Sequence, residues 1–256
     1  MADSTPVPLA VFEEHVRQIE QSVQFVQAAG AVKHSVADAL DKANGKRYAL
    51  NEVYKFLKMR DYPEQQHCNA NFMSLVAGFE EFLRQTLELA ITARAQTAKS
   101  FDDLGAPAHD LHMKATGFLL THKANPPQQL RSLDFFQVCR NIGTCVPGAT
   151  TFTLNPEAIS LQSSLLDLES FMDTLSKFGY QINWDKLGAD AQVKECMGST
   201  GTRDAANLLK GYLLEIVKQR NRVAHTGSSS DITPALLNEY LTRLLSLARA
   251  ISGCLR

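Results

Sequence analysis

The chain carries no Walker loop, no GxGxxG turn, no GxSxG elbow and no HExxH helix, and each omission removes a class of chemistry. Nucleoside triphosphate, dinucleotide, serine-hydrolase and zinc-protease mechanisms all lose their usual sequence support. The five cysteines, at 68, 139, 145, 196 and 254, are odd in number and form no CxxC pair. They are expected as free thiols in a reducing compartment, with Cys139 and Cys145 as packed hydrophobes. His109, His112 and His122 invite a metal, but no acidic cluster or fourth ligand accompanies them, so neither a metal nor another cofactor is expected. No signal peptide or long apolar run is present, which predicts a cytoplasmic protein without a membrane partner. Basic excess is also missing, because 26 Lys plus Arg face 27 Asp plus Glu for a net charge of -1. Any grip on nucleic acid must therefore come from a local patch.

Strand-like alternation does not persist and hairpin turn pairs are scarce, while 45% of residues are hydrophobic, enough for a packed core. The expected fold is all-α. Apolar periodicity predicts helices near residues 8–29, 32–42, 47–59, 64–97, 108–123, 128–145, 157–178, 185–197, 203–225 and 233–253. Thr233 before Pro234 is a start signal for the last of them, a helical N-cap followed by a residue suited to the first turn. Breaks are expected at Ala124–Pro127, Val146–Gly148 and Met197–Gly201. None is long enough for a linker, so residues 1–256 are expected to form a single domain, with N-terminal helices in 1–60 and a core bundle in 64–256.

The most informative stretch runs from Lys218 to Gly227. In the helix ending there, Ala205, Leu209, Tyr212, Leu213, Ile216 and Val223 make one apolar stripe, and Arg220 falls near the middle of it. A guanidinium in that position must be paired or used. Asn221 and His225, four apart, share one flank, and the long Arg220 side chain can swing to the same edge. His225 stands in the last turn, where the helix dipole favours imidazolium, suiting a group that takes and gives a proton. Arg222 and Lys218 add positive charge for a phosphate backbone, as do Arg203 and Lys210, although Lys210 and Lys218 also read as a solvated face.

A second charge sits beside an apolar stripe. The helix near 71–95 presents Phe72, Leu75, Val76, Phe79, Leu83, Leu87 and Ala90 to the core, with Glu80 at the stripe's margin and Glu81 turned away. A carboxylate there is costly unless paired. Glu80 has two candidate partners, Arg220 on the later helix and Arg84 one turn along its own.

The spacing Arg220-Asn221-x-x-x-His225 followed by Gly227 resembles the signature of HEPN-superfamily ribonucleases. Residues 9–29 look like the opening helix of the MAE-type HEPN-like nucleases, and Cys68 to Arg84 is similar to that family's second helix, with Glu80 and Arg84 at its charged positions. Phe152 to Ile159 and Gln181 to Asp185 give weaker similarity. The family's usual aromatic-asparagine pair is here Ala77-Gly78, and the RiboL-PSP-HEPN group is the near alternative. The resemblance implies a HEPN-like helical bundle with additional N-terminal and inserted helices. It implies a metal-independent endoribonuclease, a toxin or anti-phage effector acting as a homodimer and controlled by an antitoxin or sensor protein. Arg220, His225 and Asn221 would be catalytic, Glu80 supporting, and Arg222 and Lys218 RNA-binding. The competing expectation is a non-catalytic HEPN-like module that binds a protein or nucleotide.

Overall fold

The computed structural model describes residues 7–42, 64–122, 134–163, 166–226 and 232–255. Within them lie ten α-helices and no strand: α1 (Val7–Lys42), α2 (Glu64–Thr97), α3 (Ala106–Thr121), α4 (Phe135–Thr144), α5 (Pro156–Gln162), α6 (Leu168–Lys177), α7 (Trp184–Ala189), α8 (Ala191–Met197), α9 (Thr202–Thr226) and α10 (Pro234–Cys254). A short 3-10 turn, Phe101–Leu104, joins α2 to α3. The fold is all-α. The helix expected over 47–59 and Gly227, the expected helix stop, lie outside the described residues.

α2 is the axis of the bundle. Its predicted stripe is buried throughout, with Phe72, Leu75, Leu83 and Leu87 fully covered. α1 packs along it through Leu9, Phe12, Val16, Ile19 and Val23, at the three- and four-residue steps of one helical face. Phe12 stands 5.7 Å from Phe79 and 5.6 Å from Phe82 between ring centroids, spacings favourable for aromatic pairs. Gly78 lets α1 come this close: a methyl group there would lie 2.4 Å from the ring of His15, whose Nε2 is 3.0 Å from the Ser74 carbonyl. α10 lies against α1, α2 and α8, and Thr233 caps it by accepting from the Leu236 amide at 3.2 Å. α10 touches α9 through Tyr240 against Tyr212 and through the Arg243 guanidinium over the Tyr212 ring.

Several predicted boundaries differ. The helices expected at 8–29 and 32–42 are one, because Gly30 costs helix stability without ending the helix. The segment expected as 157–178 is two helices, since the Asp167 carboxylate accepts from the Glu169 and Ser170 amides and starts α6 afresh. Asp190 does the same to the segment expected as 185–197, accepting from Gln192 and Val193. α4 begins at Phe135 behind the N-cap Asp134, and positions 128–133 of the helix expected over 128–145 lie outside the described residues. Cys145 is buried as expected, but Cys139 is exposed.

The three histidines considered for a metal are engaged separately. His109 stacks on Phe101 at 4.0 Å, His122 bonds the Phe118 carbonyl, and His112 is fully buried with Nε2 accepting from the Asn155 amide at 3.0 Å. Asn155 in turn donates to the Val138 carbonyl and receives a bond from Asn141, so His112 anchors the α3–α4–α5 junction. Its Nδ1 is buried with no partner among the described residues. Burial, with a smaller contribution from His109, pushes the His112 imidazole from 6.5 down to about 4. The unfolded chain therefore takes up a proton at a pH where the folded chain does not. Stability should fall as pH drops from about 6.5 to about 4, by up to about 3 kcal/mol. Urea unfolding across that range measures the slope, and His112→Gln, which keeps an acceptor for Asn155, should reduce it.

Candidate active site

α9 is held from both sides. Ala205, Leu209, Tyr212, Leu213, Ile216 and Val223 are all buried, against α2 on one side and α7 and α8 on the other. The predicted stripe is thus the buried one. Arg220 lies at its margin rather than its middle, with a side chain 39% exposed. Ile216 and Val223 on either side of it are buried, while the guanidinium stands partly in water and partly beside Glu80 of α2.

Of its two candidate partners, Glu80 meets Arg220 and not Arg84. The Arg220 Nη2 stands 3.9 Å from Glu80 Oε1, and its Nη1 donates to the Asn221 amide oxygen at 3.4 Å. Arg84 is taken by others. Its Nε donates to Glu81 at 2.8 Å and its Nη1 to Glu88 at 2.7 Å, so Glu81 is not merely solvated. Glu88 also accepts from the Ser160 hydroxyl, tying α2 to α5.

Asn221 and His225 are exposed one turn apart on the outward edge of α9. Lys218 precedes them by three and seven residues, placing it on the same edge, and Arg222 is exposed on the adjoining face. Asn221 and His225 therefore share one rim, and Arg220 reaches it through its contact with Asn221, with Glu80 behind the arginine. At 3.9 Å the ion pair is looser than a hydrogen bond, and both partners are about a third exposed. A pair of that kind contributes little and exchanges easily, so the planar guanidinium can turn to a phosphate while the carboxylate keeps it near the rim. One rim holds one imidazole and one loosely paired guanidinium, which suits a site completed from elsewhere.

Sequence reasoning missed a second feature of α9. Leu213, Leu214 and Val217 form one wall of a cleft of about 400 Å³, closed by Leu166, Leu168 and Trp184. At its mouth Trp184 Nε1 donates to Glu169 at 3.1 Å, and Lys210 Nζ lies 3.4 Å from the same carboxylate and 4.8 Å from the indole centroid. The only signal was the chain's single tryptophan behind the N-cap Asn183.

Among the described residues, no helix is long and apolar enough to cross a membrane, and no group of three His, Cys, Asp or Glu side chains is arranged to hold a metal ion. No curated protein and no solved structure matches the chain. The family model of RiboL-PSP-HEPN does, over residues 46–256, which include Glu80, Arg220, Asn221 and His225. The match falls on the near alternative and not on the MAE-type group. The chain belongs to the RiboL-PSP-HEPN family, within the HEPN superfamily.

Proposed function

We propose that the protein is a metal-independent endoribonuclease whose active site is shared by two copies of the chain. The observation that carries this reading is the exposed edge of Asn221 and His225, with Arg220 bonded to Asn221 and Glu80 3.9 Å behind the arginine. A ribose 2′-hydroxyl attacks the adjacent phosphorus and the bond to the 5′-oxygen breaks. One imidazole takes the hydroxyl proton and another gives a proton to the departing oxygen. Arg220 binds the charge that builds on the equatorial phosphate oxygens, Asn221 orients the phosphate or His225, and Arg222 and Lys218 hold the flanking backbone.

Acid and base duties at the same phosphate are better shared between two imidazoles, and one rim supplies a single His225. A two-fold dimer that faces two rims across a groove supplies both. Membership of the HEPN superfamily, in which ribonucleases are common, supports the reaction class. We further propose a cytoplasmic toxin or anti-phage effector held in check by an antitoxin or sensor protein, because an unrestrained ribonuclease damages its own cell.

The products define the mechanism. RNA incubated with the protein and excess EDTA should yield 2′,3′-cyclic phosphate and 5′-hydroxyl ends, and an all-deoxy strand of the same sequence should stay intact. Equal cleavage of the deoxy strand would overturn the proposal.

A further inference from the structure

The cleft beside Trp184 lies on the same flank of α9 as Asn221 and His225. At 100° per residue, Lys210, Leu214, Val217, Asn221 and His225 fall within about 80° of one another around the helix. Leu214 is 63% exposed, an uncovered leucine at the edge of a cleft whose apolar walls are bordered by the charged Asp167, Glu169 and Lys210. From Val217 to His225 the helix rises about 12 Å, about two nucleotides of an extended strand.

We propose that this cleft is a base-reading subsite that takes a guanine of the RNA about two nucleotides from the cleaved bond; it rests on the ribonuclease reading for its place on the strand. A planar base fits between Leu214 and Val217 on one side and Leu166 and Leu168 on the other, where stacking and apolar contact need no particular sequence. Discrimination comes from the mouth. Glu169 presents a carboxylate there, its Oε1 fixed by the Trp184 N–H and by Lys210, which leaves Oε2 and the second lone pair of Oε1 for a base. Guanine alone offers two adjacent donors, its ring N–H and its amino group, to a carboxylate. Adenine and cytosine offer an amino group beside a ring acceptor, and the single N–H of uracil is flanked by two carbonyls that the carboxylate repels. The Lys210 ammonium is placed to offset the charge of a neighbouring phosphate, which Glu169 by itself would repel.

Trp184 is the chain's only tryptophan, so its emission reports the cleft directly. The full chain is titrated with guanosine, adenosine, cytidine and uridine 5′-monophosphates, which carry the same phosphate charge. Guanosine monophosphate should give a saturable change at a concentration about tenfold lower than uridine monophosphate. Glu169→Gln, at a side chain 67% exposed, should fold normally and lose that preference. His225→Ala should keep it. No saturable change with any of the four, or an unaltered preference in Glu169→Gln, overturns the proposal. So does a Leu214→Ala variant that weakens self-association while leaving the titrations unchanged, since the cleft would then receive the second copy. RNA cleavage is scored separately: a wild-type protein that responds to guanosine monophosphate but cuts no RNA would retain the subsite and lose the ribonuclease reading.

Discussion

Alanine in place of His225 is expected to slow RNA cleavage by about 10³-fold, and alanine in place of Arg220 by about 10²- to 10³-fold, with the fold of both variants intact. The two parts of this expectation have separate grounds. The rate loss follows from removing the proton carrier or the cation that binds the developing charge. Retention of fold follows from where the side chains lie. His225 is exposed, and Arg220 gives up an ion pair at 3.9 Å between partners 39% and 34% exposed, worth under about 1 kcal/mol. The helix beneath is held by Val223, Ile216 and Leu213, which neither substitution touches. Circular dichroism and sedimentation alongside single-turnover cleavage separate chemistry from stability. If both variants are folded and dimeric and cut RNA at the wild-type rate, the rim is not catalytic.

Gly188→Ala is expected to have the largest effect on stability. Gly188 is buried in α7 where that helix meets the start of α9, and a methyl group there would stand 2.3 Å from the Thr202 carbonyl oxygen and 3.0 Å from the Ala206 amide nitrogen. These are backbone atoms of the motif helix's first turns and cannot swing aside as a side chain can. Relief requires α7 and α9 to part, which also disturbs Leu187, Ala205 and Ala206 in the interface. The cost should be about 3 kcal/mol, lowering the melting temperature by about 10 °C. A melt within 2 °C of wild type, as about 1 kcal/mol or less would give, contradicts the close approach.

The parts of the fold that were legible in sequence are those in which one physical signal dominates. The long apolar stripes of α2 and α9 are buried residue for residue, and Thr233 caps α10 as its residue type implies. The Glu80–Arg220 contact was legible because each charge lay beside an apolar stripe and needed a partner. Choosing Arg220 over Arg84 required the structure, since Arg84 is claimed by Glu81 and Glu88, at ordinary helical spacing. Short-range competition blurred the rest. Asp167 and Asp190 restart helices by side-chain capping inside segments whose periodicity reads as unbroken, and Gly30 is spanned where a break was expected. The Trp184 cleft was illegible because its walls come from the α6 entry, α7 and α9, segments far apart in sequence with no shared pattern.

The central claim is that two copies complete one active site, and subunit mixing tests it most directly. Wild-type protein is exchanged with an equal amount of His225→Ala protein at fixed total concentration, and RNA cleavage is measured. If both imidazoles are needed, only dimers with two intact copies cut, and the rate falls to about one quarter of the undiluted wild-type value. A rate of about one half, the value for protomers that each carry a complete site, would contradict the account.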